Sequence, residues 1–88
     1  MSRVLIAEDE ARIAAFVEKG LRANGFATTV VGDGRAARAA AAGGDFDLMI
    51  LDIGLPGMDG FEVLRALRAD RVSIPVVILT ARDSVQDT

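Results

Sequence analysis

Three acids and a hydroxyl stand where short apolar runs stop. Glu8 and Asp9 follow Val4-Leu5-Ile6-Ala7, Asp52 follows Leu48-Met49-Ile50-Leu51, and Thr80 follows Val76-Val77-Ile78-Leu79. Carboxylates crowded together repel one another, so a cluster of Glu8, Asp9 and Asp52 is favourable only around a cation, and an all-oxygen donor set suits Mg2+ or Mn2+. A cation there would neutralise part of a phosphate, whose phosphorus Asp52 could attack as a carboxylate nucleophile. Thr80 offers a hydroxyl to a phosphoryl oxygen. The 88 residues contain no histidine and no cysteine, which excludes within the chain Ser-His-Asp and Cys-His catalysis, disulfides, and zinc sites built on those residues.

That chemistry requires the run ends to meet. Uninterrupted runs of Val, Leu, Ile and Met predict parallel strands covered on both faces, whose carboxyl ends form the ligand-binding edge of open α/β sheets. Between the strands, helical spacing recurs. Ile13, Ala14, Phe16, Val17 and Leu21 form one apolar stripe, closed by Asn24-Gly25. Phe26 to Val31 predicts a second strand, and Asp33 caps a second helix running through Arg35 to Ala42, weakly amphipathic because alanine dominates both faces. Asp59 caps a third helix with Phe61, Leu64 and Leu67 on one side and Glu62, Arg65 and Arg68 on another. After the fourth strand, Ala81-Arg82-Asp83-Ser84 predicts a loop, and the residues through Thr88 the first turn of a fourth helix.

This β-α-β-α-β-α-β alternation predicts one domain over residues 1–88, an α/β fold with a parallel sheet between helical layers. In the flavodoxin-like order 2-1-3-4 the first and third strands are neighbours, so Glu8, Asp9 and Asp52 converge. A formal charge of -3 offers no basic stripe, which argues against nucleic-acid binding by this segment. The absence of a long apolar run argues against a membrane span and makes the cytoplasm the expected location.

Taken singly, each residue has a plainer role. Glu8 and Asp9 could serve the start of the first helix through its dipole. Asp52 could cap a turn, and Thr80 could satisfy its hydroxyl locally. Their joint occurrence at three parallel-strand ends is what favours chemistry. Glu10 and Asp59 keep structural roles, as first-turn charge and N-cap.

With these residues in place, the chain resembles the receiver domain of a two-component response regulator. The resemblance is carried by Val4-Leu5-Ile6-Ala7-Glu8-Asp9-Glu10, by Asp52-Ile53-Gly54-Leu55-Pro56-Gly57-Met58-Asp59-Gly60 and Phe61-Glu62-Val63-Leu64, and by Ile74-Pro75-Val76-Val77-Ile78-Leu79-Thr80-Ala81. Leu79-Thr80-Ala81-Arg82-Asp83 is most similar to the subgroup whose receiver precedes a winged-helix DNA-binding domain that regulates transcription. The resemblance implies that Asp52 accepts a phosphoryl group from a sensor histidine kinase. It further implies that Asp9, Asp52 and the Gly54 carbonyl ligate Mg2+, that Glu8 holds the ion through water, and that Thr80 is a switch residue drawn to the phosphoryl group. Small Ala81 would leave that group room. The domain is then a phosphoacceptor with at most autophosphatase activity, and it would meet DNA only through an effector domain.

Two features of the family have no counterpart in residues 1–88: a fifth strand bearing a lysine and a switch aromatic, and the fifth helix. Lys19, the only lysine, lies too far along the first helix to substitute. The chain is therefore expected to bind Mg2+ weakly, to be phosphorylated poorly by a small phosphodonor, and to form homodimers or otherwise self-associate along the uncovered fourth strand.

Three rival functions compete. Gly32-Asp33-Gly34-Arg35-Ala36-Ala37 matches the glycine spacing of dinucleotide sites, but Asp33 would face the pyrophosphate with like charge, and the motif follows the second strand instead of the first. A haloacid-dehalogenase-type phosphatase needs a general acid two residues after the nucleophile, where this chain has Gly54. A receiver-like interaction module that never carries phosphate is the third.

Overall fold

The apolar runs form strands and the stretches between them form helices in a computed structural model, which describes residues 2–79. The elements are β1 (Arg3–Ala7), α1 (Ala11–Ala23), β2 (Ala27–Val31), α2 (Gly34–Ala42), β3 (Leu48–Asp52), α3 (Gly60–Ala69) and β4 (Val76–Leu79). Thr80, the predicted Ala81–Ser84 loop and the fourth helix lie outside the described residues. The sheet is parallel throughout with order β2-β1-β3-β4, as the flavodoxin-like expectation requires. Right-handed crossovers then fix the layers. The chain steps one way from β1 to β2 and the other way from β2 to β3 to β4, so α1 covers one face and α2 with α3 the opposite one.

The principal core lies under α2 and α3. Leu5 pairs with Met49 and Ala7 with Leu51, and all four are fully buried against Ala37 and Ala41 of α2 and Val63 and Leu67 of α3. Each large side chain withdrawn from water there contributes about 1.5–3 kcal/mol. Alanine on both faces of α2 obscures its amphipathicity in the sequence, yet the small residues Ala37 and Ala41 are the ones this helix buries against the sheet. Caps set the helix starts. Asp33 accepts the Ala36 N–H at 2.8 Å, while Asp59 and Glu62 form a reciprocal capping box with both bonds at 2.9 Å.

Two aromatic placements differ from expectation. Phe16 is 78% exposed and Phe61 48% exposed. On α1 the buried residue is Ala14 and on α3 they are Gly60, Val63 and Leu67, and each phenylalanine stands more than a quarter-turn from these positions. The second strand also starts one residue later than predicted, at Ala27. Val77 and Ile78 of β4 are exposed among the described residues.

Candidate functional site

Strand register brings the acids together. Ala7 is opposite Leu51 in the β1–β3 pairing, so Glu8 and Asp52, one residue further along, leave the same sheet edge side by side. Carboxylate oxygens of Glu8, Asp9 and Asp52 all lie within 4.8 Å of one another. The convergence expected of these residues is therefore present. Leu79 pairs with Asp52 at the end of β4. Thr80 is the next residue and falls outside the described ones.

The three acids occupy different surroundings. Glu8 is buried, Asp52 is half-buried and Asp9 is exposed. The Glu8 backbone N–H donates to Val31 O at 3.0 Å, and its carboxylate accepts the Glu10 N–H at 2.9 Å. Burial pushes the Glu8 carboxyl above its ordinary value. The Glu10 bond opposes that shift, and the neighbouring charges of Asp52 and Asp9 add to it. The Glu8 carboxylate thus also serves the start of α1 by accepting the N–H of its N-cap residue Glu10, while Glu10 itself makes no side-chain cap bond. Nor does a described side-chain hydrogen bond engage Asp52, as a turn-capping role would require.

No described cation balances the cluster. The ion pairs among the described residues, Arg22–Glu18 and Arg38–Asp70, involve other acids. Three crowded carboxylates offering oxygen alone fit a hard divalent cation.

The connection after β3 is closed at two points. At its base, Gly60 N–H donates to Ile53 O at 2.8 Å, and a Cβ on Gly60 would lie 2.5 Å from Asp52 O and 2.8 Å from Ile53 Cα. At its apex, Gly34 N–H donates to Pro56 O at 3.2 Å. Gly57 turns the chain with φ +80°, a conformation that glycine tolerates without strain. Leu55 is buried beneath, and Gly54 stands exposed two residues past Asp52. In the sequence Gly60 stands out only as part of a motif and Gly34 only as a turn residue. Both are close-approach positions, and their only signal is a glycine beside a helix N-cap.

A profile of the response regulator receiver domain matches residues 4–88. The transcriptional regulatory protein TcrA of Mycobacterium tuberculosis is 48% identical over 85 residues, which are 97% of this chain and 34% of that protein. The receiver domain of Francisella response regulator 1452 superposes with a TM-score of 0.88 at 34% identity, covering 99% of this chain and 72% of that one. Response regulator TrrA from Thermotoga maritima, solved in complex with Mg(2+)-BeF, gives a TM-score of 0.87 at 30% identity over 99% of this chain and 76% of that one. The chain spans about a third of the length of the curated relatives it matches. Among the described residues, no helix is long and apolar enough to cross a membrane.

Proposed function

The chain belongs to the response regulator receiver domain family, and we propose that Asp52 is its phosphoacceptor, with Glu8, Asp9, Asp52 and the Gly54 carbonyl holding Mg2+. One observation carries this reading: three carboxylates that pair with no described cation meet at the carboxyl edge of a parallel sheet. Receiver domains of response regulators are signalling modules and not classical enzymes, so the reaction is a transfer to the protein itself.

In the proposed step an Asp52 oxygen attacks the phosphorus of a phosphohistidine on a sensor kinase. The O–P bond forms, the P–N bond breaks, and the imidazole leaves with the electron pair and takes up a proton. Half-burial of Asp52 leaves one side open to the donor while β3 fixes its position. When bound, Mg2+ supplies positive charge against the phosphoryl oxygens. Reversal to the resting state is hydrolysis, in which water attacks phosphorus and the Asp52 carboxylate leaves. The alignment of Leu79 with Asp52 supports Thr80 as the hydroxyl that meets the phosphoryl group and couples it to a two-state surface. TcrA is named a transcriptional regulatory protein, and we carry transcriptional output, cytoplasmic location and DNA binding by a separate effector domain to this chain as part of the same reading.

The test is to incubate the intact protein with Mg2+ and a small acyl-phosphate donor, then locate the label by peptide mass spectrometry. Label on the peptide containing Asp52, lost in Asp52→Asn, is expected. Label confined to another acid, or persisting in Asp52→Asn, would overturn the assignment.

A further inference from the structure

We propose that Gly34, at the start of α2, is a positioning residue for the loop that follows Asp52, so that the spacing of the proposed metal site depends on a helix that contributes no ligand to it. The inference rests on the reading of that loop as part of a Mg2+ site.

Gly34 is buried and helical, and its φ is not in the left-handed region, so conformational freedom is not what demands glycine here. Space is. A Cβ built on Gly34 would overlap the Met58 carbonyl oxygen and lie 2.6 Å from both the Met58 carbonyl carbon and the Met58 Cβ. Two of those three atoms are backbone, which cannot rotate away as the end of a flexible side chain could. The same residue donates its N–H to Pro56 O, which also accepts the Met58 N–H at 2.9 Å. The apex of the loop therefore rests directly on the first turn of α2, touching Gly34 mainly through backbone atoms.

Displacement at the apex has few ways to be absorbed. On the carboxyl side, Asp59 and Glu62 lock the chain into α3 through the capping box. At the base, Gly60 is pressed against Asp52 O and bonded to Ile53 O. Toward β3, Leu55 is buried in the core. A side chain at position 34 pushes Pro56–Met58 outward, and the slack falls on Ile53 and Gly54, the residues between fixed Asp52 and buried Leu55. Asp33, which caps α2 from the adjacent position, keeps the helix end in place, so the loop is the part that yields.

Calorimetric Mg2+ titration of the intact protein tests this, comparing wild type, Gly34→Ala and Ala39→Gly. Ala39 is exposed on the same helix, so Ala39→Gly weakens α2 without adding a contact to the loop. Gly34→Ala is expected to weaken Mg2+ binding by about 10-fold, the scale on which supporting residues act on metal sites, while Ala39→Gly stays at the wild-type value. Equal weakening in both variants, or none in Gly34→Ala, would overturn the proposal.

Amide hydrogen exchange without metal gives a readout independent of the ion. The Gly60 and Met58 amides should exchange faster in Gly34→Ala and unchanged in Ala39→Gly. Wild type that binds no Mg2+ while Gly34→Ala still loosens these amides would refute the metal-site reading and leave Gly34 positioning the loop. Unaltered exchange would refute the positioning role itself. If Gly34→Ala does not fold, exchange of the wild-type Gly34 amide decides. Reciprocal coupling requires its protection to rise on adding Mg2+, and unchanged protection contradicts the proposal.

Discussion

Two connections leave the carboxyl edge of the sheet next to each other, and they are made of different materials. The short one from β1 to α1 supplies charge: Glu8, Asp9 and Glu10 in succession, with one of the three buried and α1 left without a side-chain cap. The longer one from β3 to α3 supplies backbone, drawn tight by Gly60 on Ile53, by Gly34 on Pro56 and by the Asp59–Glu62 capping box. Asp52 stands where they meet. The difference implies separable sensitivities. Changes of charge in the first connection should alter ion binding with little effect on the fold, whereas changes of volume in the second should alter the fold first.

Gly60→Ala should have the largest effect on stability. Its Cβ meets Asp52 O and Ile53 Cα at distances real structures do not tolerate, so a loss of about 3 kcal/mol is expected from urea denaturation, the upper range for overpacking. A loss under about 1 kcal/mol would show that the loop base is not tightly closed. Asp9→Asn should behave in the opposite manner. It removes an exposed charge that supports no helix cap, so the urea midpoint should hardly move while the Mg2+ dissociation constant rises by roughly 10- to 100-fold. Comparable damage to stability from Asp9→Asn would collapse the distinction.

The helix starts sharpen the comparison further. Asp59→Ala breaks the capping box and should cost about 1 kcal/mol, whereas Glu10→Ala, which breaks no side-chain bond, should stay within about 0.5 kcal/mol of wild type.

The smallest effect concerns acidity. The native-state pKa of Glu8 lies above the ordinary 4.5, so between those values the folded protein holds a proton that the unfolded chain has released. Its contribution is fully present below the unfolded value and is lost as pH rises through the folded one. Without divalent ions, thermal stability should thus decline slightly with rising pH in this range, and Glu8→Gln should flatten the decline. A rise through the same window that disappears in Glu8→Gln would contradict the buried, like-charged environment.

Much of this site is legible in the sequence because strand ends are. Leu48 to Leu51 is an unbroken apolar run, and an acid that ends such a run has only one edge of a parallel sheet to occupy. Register then does the rest, through the pairing of Ala7 with Leu51. Helix faces are less legible. Hydrophobicity assigns Phe16 and Phe61 to the interior, but the buried positions are Ala14 on α1 and Gly60, Val63 and Leu67 on α3, so which face turns inward is set by the packing and not by the largest apolar side chain. Gly34 shows the same limit from the other side. A glycine next to an N-cap reads as a turn, and only the position of Met58, 24 residues away, shows that it is a spacer.

The most direct test of the account measures the rate of Asp52 phosphorylation in the intact protein against Mg2+ concentration, for wild type and Asp9→Asn with a small acyl-phosphate donor. A saturable dependence in wild type, displaced to higher Mg2+ in Asp9→Asn with the label remaining on Asp52, is the predicted result. A rate indifferent to Mg2+, or the same dependence in both proteins, would contradict the claim that Asp9 and Asp52 form one ion-assisted phosphoacceptor site.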